Sequence, residues 1–259
     1  MDPTFSALAD QAATGSPDIP ETWKQGRTAY GGLSAALLLA RVRGEHDELP
    51  PLRSALVNFT GPVADAPDMT TELLRRGRNV TTVQARADLG GRAACTAVFS
   101  FGGARDSHVR VDRPAPGTPP PDRCEPFTKT ESPFIPAFLR NYDVKLIEGT
   151  RPIEGGTRGY LRCWARHSDP AARSGEIALL GLADILPPAT FPIMTQMGPV
   201  SSMSWICNIL RDTDTTDGWY MVESELSAAH DGYCSQVMRI WNRDGALIVD
   251  GMQSIAVFV

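Results

Sequence analysis

The chain of 259 residues lacks several features that define common classes of protein. No apolar run is long enough to span a bilayer, and the N-terminus begins acidic rather than basic, so we expect neither a membrane helix nor a secretory signal. Five cysteines without paired spacing argue against a disulfide framework and favour a reducing, cytoplasmic location. The net charge of −5, with both signs mixed along the chain, gives no indication of a nucleic-acid partner.

Two common catalytic signatures are also missing. No G-x-S-x-G nucleophile elbow is present. The four histidines are scattered through polar or turn-like surroundings without metal-ligand spacing; they are His46, His108, His167 and His230. We therefore expect no metal and no cofactor.

The clearest break in composition is a proline-rich segment in the middle of the chain. Residues 104–133 include the run Pro119-Pro120-Pro121, which cannot continue a regular helix or a central strand. We interpret the segment as a linker, and a proline-rich partner motif is the less favoured alternative. This divides the chain into an N-terminal domain, 1–103, and a C-terminal domain, 134–259.

The two flanking halves show the same order of predicted elements. Each contains one apolar helix, predicted at Leu33–Val42 in the first half and Ile177–Leu186 in the second. Strand-like segments follow each helix, and turns at Gly90-Gly91 and Asp244-Gly245 predict hairpins. The predicted strands are Arg53–Phe59, Met69–Arg75, Val80–Ala87 and Ala93–Phe101, then Ser201–Leu210, Trp219–Ala228, Tyr233–Trp241 and Ala246–Val259, with Tyr160–Arg166 before the second helix.

A helix followed by an antiparallel meander, repeated once, is typical of an α+β fold. A long apolar helix with few charges must be covered on nearly all sides, and a sheet wrapped around it is the simplest cover. Two such halves can join their sheets into one surface, which protects the edge strands.

Several segments resemble the acyl-CoA thioesterase II family. They are Tyr30-Gly31-Gly32, the run Leu73 to Arg78, the hairpin end Val98 to Phe101, and the stretch from Asp231-Gly232-Tyr233 to Gln253. The resemblance implies a double hotdog fold, in which two helix-wrapped antiparallel sheets are fused in one chain. It further implies hydrolysis of medium- or long-chain fatty acyl-CoA to free acid and CoA.

The resemblance also implies a set of catalytic residues in the second half. The family's aspartate matches Asp184, its glutamine matches Gln253, and its hydroxyl matches Ser201 or Ser202. The sequence departs from the family pattern at Met203, where relatives often carry an aspartate. We therefore include Met203 among the expected substrate-binding residues.

The residues themselves support a carboxylate-activated water. Asp184 follows an apolar helix, where desolvation would raise its pKa and make it a better base; a solvent-facing polar residue is the alternative. Gln253 stands in an apolar strand, where a buried amide needs a partner, although an outward-facing position would also explain it. Eight residues after Gly245 stands Gln253, whereas eight residues after Gly91 stands Phe99, so we expect one site per chain.

Substrate-binding residues are expected in the first half. The N–H groups at Tyr30-Gly31-Gly32 could polarise a carbonyl oxygen, or the glycines could serve only close packing. Arg75, Arg76 and Arg78 could meet the phosphates of CoA, although a solvated hairpin explains them as well. Exposed sheet faces make self-association into a homo-oligomer an expectation.

Two alternative functions remain open from the sequence. One is hydration or dehydration of an acyl thioester, which hotdog folds also perform, but which typically pairs a histidine with the carboxylate. The other is a non-catalytic acyl-CoA or lipid-binding protein, because the departure at Met203 affects the site.

Overall fold

The computed structural model describes residues 2–64, 66–128 and 135–259. Residues 129–133 of the expected linker, and residue 134 at the expected start of the C-terminal domain, lie outside the described residues. Three α-helices are present in the described part: α1 (Phe5–Thr14), α2 (Gly31–Glu45) and α3 (Glu176–Ala183). None of the described helices is long and apolar enough to cross a membrane.

Helix α2 is covered on nearly all sides, as its apolar sequence predicts. Every residue from Gly32 to Ala40 is buried, including the hydroxyl-bearing Ser34, whose Oγ donates to the Tyr30 carbonyl at 3.2 Å. Its polar end comes only in the last turns, where Arg43 bonds the carbonyls of Leu49 and Pro50. The sheet wraps around this helix, and α1 and α3 pack against its remaining surface.

Helix α3 is shorter than the predicted span, which ran to Leu186. Helical geometry stops at Asp184, the C-cap residue, with φ −100° and ψ 15°. The N–H of Ile185 bonds back three residues to the Leu182 carbonyl rather than four, which tightens the last turn. The early end turns the chain away from the helix axis and presents the Asp184 side chain toward the start of α2.

Thirteen strands were found among the described residues, two of which form a small hairpin apart from the main sheet. The hairpin strands are β1 (Lys24–Gln25) and β2 (Thr28–Ala29). The others are β3 (Leu52–Phe59), β4 (Asp68–Arg76), β5 (Thr81–Leu89), β6 (Arg92–Phe101), β7 (Glu125–Pro126), β8 (Tyr142–Gly149), β9 (Tyr160–His167), β10 (Val200–Ile209), β11 (Tyr220–His230), β12 (Tyr233–Asn242) and β13 (Leu247–Val257). The strands predicted from the sequence agree with these within about two residues, whereas α1, β8 and the short strands were not predicted.

Eleven strands form one antiparallel sheet in the order β4-β5-β6-β3-β10-β13-β12-β11-β9-β8-β7. The halves meet where β3 pairs with β10, with Leu56 opposite Ile206. The block β3-β6-β5-β4 therefore mirrors β10-β13-β12-β11, and each block follows its own helix. The expected continuous surface of two joined sheets, with the α+β class, is confirmed.

The main core lies between the helices and the concave face of the sheet, and a second, smaller cluster lies on the outer face of the C-terminal half. The described part of the proline-rich segment covers this cluster. The indole Nε1 of Trp241 donates to the Arg113 carbonyl at 2.9 Å, and that of Trp164 donates to the Pro119 carbonyl at 2.9 Å. These two backbone carbonyls, which accept hydrogen bonds from buried indoles, thus hold the segment against the sheet.

Candidate active site

Asp184 lies at the end of α3, where three structural elements converge. One carboxylate oxygen, Oδ1, accepts from Gln253 Nε2 at 3.0 Å, and the carboxylate also accepts from the backbone N–H of Gly32. Burial raises the pKa of Asp184 from its ordinary value of 3.8 to about 7, while these two hydrogen bonds lower it. A carboxylate with this pKa is suited to accept a proton near neutrality.

The start of α2 lies directly against this carboxylate. A Cβ on Gly31 would stand 2.5 Å from Asp184 Oδ2, and one on Gly32 would stand 2.4 Å from the Gly181 carbonyl oxygen. Both positions therefore require glycine, because any side chain would collide with the neighbouring helix end. The first intrahelical bond of α2 runs from the Ser34 N–H to the Tyr30 carbonyl, which leaves the preceding N–H groups free of intrahelical bonds.

Gln253 lies on β13 with its side chain on the concave face, 3% exposed. Its partner across the hairpin is Gln236 of β12, which is completely buried. Gln236 Nε2 donates to Gln253 Oε1 at 2.8 Å, and Gln236 Oε1 accepts from the Ala189 N–H at 2.7 Å. A continuous line of hydrogen bonds thus runs from the loop after α3 through two amides to Asp184.

The two serines at the start of β10 face opposite sides of the sheet. Ser202 pairs with the fully buried Ile255, two residues from Gln253 on the same face of β13, whereas Ser201 pairs with Ala256. Directly opposite residues in a sheet share a face, so the Ser202 side chain points toward the site. Ser202 is half-buried and Ser201 is exposed.

A cavity of about 1300 Å³ opens beside these groups. Asp184, Gln253, Gly31 and both serines line it, with apolar walls from both halves of the chain. Among the apolar lining residues are Phe59, Val63, Phe127, Phe138, Leu186 and Phe191. The exposed side chain of Arg27, in the turn between β1 and β2, also lines the cavity.

The remaining residues singled out from the sequence lie elsewhere. Tyr30 is buried behind the site; its hydroxyl donates to the Gly181 carbonyl at 3.0 Å and its ring stacks on Phe138. The three arginines Arg75, Arg76 and Arg78 are exposed at the end of β4, the edge strand farthest from the C-terminal half, and do not line the cavity. Met203 is the extra residue of a β-bulge between Ser202 and Ser204, is 36% exposed, and does not line the cavity.

Two polar residues that the structure brings to the site were not predicted from the sequence: Arg27, which lines the cavity, and Gln236, which bonds Gln253. For Gln236 the signal was present, because it stands between Cys234 and Met238 in the alternation that places residues on the buried face of β12. A polar residue at such a position needs a buried partner. Its partner Gln253 is seventeen residues away, so pairing the two required the register of the hairpin.

The arrangement can deprotonate a water molecule and direct it at an electrophile in the cavity. A carboxylate with a raised pKa, such as Asp184, can accept a proton from water, and the free N–H groups at the start of α2 can stabilise negative charge on an oxygen. No histidine among the described residues lines the cavity. His167, the buried one, bonds the Ala178 carbonyl at 2.8 Å, and burial lowers its pKa to about 4.

A central helix wrapped by an antiparallel sheet, present twice in one chain, defines the double hotdog class. Solved structures from several bacteria share this fold. A hotdog protein from Alicyclobacillus acidocaldarius superposes with a TM-score of 0.84 at 20% identity, covering 97% of this chain and 98% of the other. A candidate thioesterase II from Thermobifida fusca YX gives 0.79 at 20%, covering 100% of both chains, and the acyl-CoA thioesterase II TesB2 from Mycobacterium marinum gives 0.70 at 19%, covering 88% of each. At these identities the likeness establishes the fold.

The sequence itself establishes the family. Residues 19–102 match the acyl-CoA thioesterase N-terminal domain, and residues 121–257 match the acyl-CoA thioesterase C-terminal domain, the latter alone covering more than half of the chain. The chain therefore belongs to the acyl-CoA thioesterase family and is a thioester hydrolase, as the resemblance implied. Comparison with functionally curated protein sequences gives no significant match.

Proposed function

We propose that this protein hydrolyses medium- or long-chain fatty acyl-CoA with a water molecule that Asp184 activates. The observation that carries the proposal is the Asp184 carboxylate, whose pKa burial raises to about 7, beside a large apolar cavity and hydrogen-bonded to Gln253. Because a water between Asp184, Gln253 and Ser202 would have two acceptors and an amide donor around it, these residues are the proposed holders of the nucleophile.

The proposed hydrolysis requires only water, the thioester and Asp184. Asp184 removes a proton from water as the oxygen attacks the thioester carbonyl carbon, and the C–O π electrons move to the carbonyl oxygen. When the tetrahedral intermediate collapses, the C–S bond breaks and the CoA sulfur leaves with its electron pair. The proton held by Asp184 passes to that sulfur, so the products are free acid and CoA thiol.

The N–H of Gly31 is the proposed donor to the developing oxyanion. It is at the first position of α2, lines the cavity, and has no hydrogen-bond partner among the described residues. The positive end of the helix dipole adds to its effect. The neighbouring Gly32 N–H is already used by Asp184, so the two adjacent amides serve the base and the oxyanion separately.

Water is favoured over a cysteine nucleophile because the thiol that interacts with Asp184 is unreactive. Cys207 on β10 interacts with Asp184, and burial raises the pKa of its thiol to about 12. A thiol must ionise to attack, and this one stays protonated at neutral pH. A covalent acyl-cysteine route is therefore disfavoured.

The chain-length proposal rests on the cavity. Its volume of about 1300 Å³ exceeds the roughly 300–1,000 Å³ typical of small-ligand sites, and its walls are mostly apolar. A fatty acyl chain fills such a space and buries its methylenes. At the rim, Arg27 is the proposed contact for CoA phosphates, because among the described residues it has neither an ion pair nor a hydrogen bond and a guanidinium matches phosphate geometry.

The test is release of free thiol from decanoyl-CoA and palmitoyl-CoA, followed with a chromogenic disulfide. The wild-type protein should release thiol, and Asp184→Asn should lower kcat by about a thousandfold, the middle of the range for loss of a general base. Asp143→Asn is the matched control, because that carboxylate pairs with Lys145 and Arg166 on β8 and β9 away from the cavity. Its activity should stay within about twofold of wild type.

Two outcomes would contradict the proposal. Binding of acyl-CoA without thiol release at any chain length would favour the non-catalytic alternative. Equal activity of wild type and Asp184→Asn, with both proteins folded, would remove Asp184 as the base.

A further inference from the structure

The amide of Gln236 has no direct contact with Asp184, yet its hydrogen bonds leave it a single orientation. The backbone N–H of Ala189 can only donate, so the atom of Gln236 that faces it at 2.7 Å must be the oxygen Oε1. The Gln236 NH₂ group then points at Gln253 and donates to its Oε1 at 2.8 Å. This in turn directs the Gln253 NH₂ group at Asp184 Oδ1, at 3.0 Å.

The same orientation follows from the other end of the line. An ionised carboxylate can only accept, so it requires the NH₂ group of Gln253 and leaves Gln253 Oε1 facing Gln236. Both ends therefore demand the same arrangement of the two amides. A protonated Asp184 that donated to Gln253 Oε1 would need both amides to flip, which would set the Gln236 NH₂ group against the Ala189 N–H.

We propose that Gln236 is a positioning residue for hydrolysis: by locking the amide of Gln253, it favours the ionised form of Asp184 and keeps the second Gln253 N–H aimed at the cavity. The proposal rests on the proposed function for its catalytic consequence. It does not place Gln236 in contact with substrate, because Gln236 is completely buried and does not line the cavity.

The hydrogen bonds from Ala189 through Gln236 to Gln253 also connect three separate parts of the fold. Ala189 belongs to the loop that follows α3 and the double proline, Gln236 lies on β12, and Gln253 lies on β13. The corresponding hairpin of the N-terminal half pairs Val83 of β5 with Phe99 of β6 at the equivalent positions. Two apolar residues fill that space, so the fold itself does not require an amide pair there.

No charged side chain that interacts with Asp184 was found among the described residues, so its protonation depends mainly on burial and on its hydrogen bonds. The ionisable side chains that interact with Asp184 are Tyr30 at the start of α2, Tyr142 on β8 and Cys207 on β10. Burial raises the pKa of each, so all three stay neutral around pH 7. The remaining groups on Asp184 are the Gln253 amide and the Gly32 N–H.

The test compares Gln236→Met with wild type. Methionine has a similar length but cannot make either hydrogen bond, so the Gln253 amide loses its fixed orientation. We expect kcat to fall about tenfold with KM within about twofold, and the acid limb of the kcat profile to move upward by about one pH unit. Gln84→Met on β5 is the control, because it makes the same chemical change on the outer face of the N-terminal half. It should leave kcat, KM and the acid limb of the kcat profile unchanged.

Gln236→Glu separates orientation from packing. A protonated glutamic acid accepts from Ala189 and donates to Gln253, as glutamine does, whereas the ionised form can no longer donate. The variant should therefore exceed Gln236→Met in activity at low pH and lose that advantage as the pH rises. Identical pH profiles for the two variants would overturn the proposal, as would a wild-type profile in Gln236→Met.

A measurement without substrate distinguishes failure of this inference from failure of the proposed function. In protein labelled with [¹³C]aspartate, the Asp184 carboxyl signal is assigned by its absence from Asp184→Asn, and its titration is followed by NMR. An upward shift of its pKa in Gln236→Met supports the orientation role even if wild type hydrolyses no acyl-CoA. An unchanged titration in an active, folded enzyme refutes it.

Discussion

The two halves of the molecule have the same architecture, but at one equivalent position the buried pair of side chains is polar in one half and apolar in the other. In the C-terminal half, Gln236 and Gln253 stand opposite each other on neighbouring strands; in the N-terminal half, Val83 and Phe99 do. The partners on the third strand correspond as well, with Trp205 beside Gln253 and Ala55 beside Phe99. The difference shows that the sheet tolerates either an apolar pair or a hydrogen-bonded amide pair, so the amides are explained by the site rather than by the fold.

Helices α2 and α3 contribute different groups to the proposed site. Helix α2 is long, and its start supplies glycine N–H groups; α3 is short, and its end supplies a carboxylate. The two ends meet, with Gly32 packed against the Gly181 carbonyl oxygen. The proposed site therefore draws on both halves, with the start of α2 from the first and the end of α3 from the second.

The strongest test of this comparison removes the amide from the C-terminal half and, separately, introduces one at the equivalent position of the N-terminal half. Gln253→Met should lower kcat by about 100-fold, because it removes the donor to Asp184 and to the water. Phe99→Gln should leave kcat within about threefold but lower the free energy of unfolding by roughly 3 kcal/mol, because it buries an amide without a partner and leaves a gap. The measurements are steady-state kinetics and urea unfolding. A Phe99→Gln variant as inactive as Gln253→Met would show that the halves are not separable in this way.

A second test concerns the contribution of the N-terminal half to the site. Gly31→Ala should lower kcat by about 100-fold, because its Cβ would lie 2.5 Å from Asp184 Oδ2 and displace the base from its position. Gly61→Ala is the control: Gly61 also lines the cavity, but its Cβ would meet nothing closer than 3.6 Å. Similar kcat values for the two variants would mean that the helix start has no part in catalysis.

The third prediction concerns the stability cost of the carboxylate at the end of α3. Its folded pKa of about 7 lies above the ordinary 3.8, so the folded protein retains a proton that the unfolded chain has released. The contribution of Asp184 to stability is therefore most favourable below about pH 4 and becomes less favourable as the pH rises to about 7. From pH 5 to pH 8, wild type should lose roughly 2–3 kcal/mol more than Asp184→Asn in urea unfolding. Parallel pH dependence in the two proteins would contradict the raised pKa.

A fourth prediction distinguishes the two serines at the start of β10. Ser202→Ala should lower kcat about tenfold, because its side chain shares the concave face with Gln253, whereas Ser201→Ala should change it less than about twofold. Steady-state kinetics with decanoyl-CoA gives both values. The reverse order would assign the hydroxyl role to Ser201.

The smallest expected effect is on CoA binding. Arg27→Ala should raise KM for decanoyl-CoA about fivefold through loss of a phosphate contact, and Arg76→Ala should leave KM unchanged because Arg76 is on the far edge strand. A decanoyl thioester of N-acetylcysteamine lacks the phosphates and should show no effect of Arg27→Ala. A larger effect of Arg76→Ala would restore the arginines after β4 as the phosphate site.

The sequence alone determined the fold class and the duplicated order of helix and meander. These follow from local patterns, since periodicity and glycine turns are visible in a single segment. Asp184 and Gln253 are also visible as polar residues in apolar runs, but their proposed roles came from the resemblance to the acyl-CoA thioesterase II family and stay predictions. The tertiary structure decided what depends on register and on the meeting of distant segments. It aligned Gln236 with Gln253, placed Gly31 against Asp184, and separated Ser202 from Ser201 by the face of β10. A one-residue change of register would move Ser202 to the other face of the sheet, and no local pattern specifies the register of β10 against β3 and β13, which lie far from it in the chain.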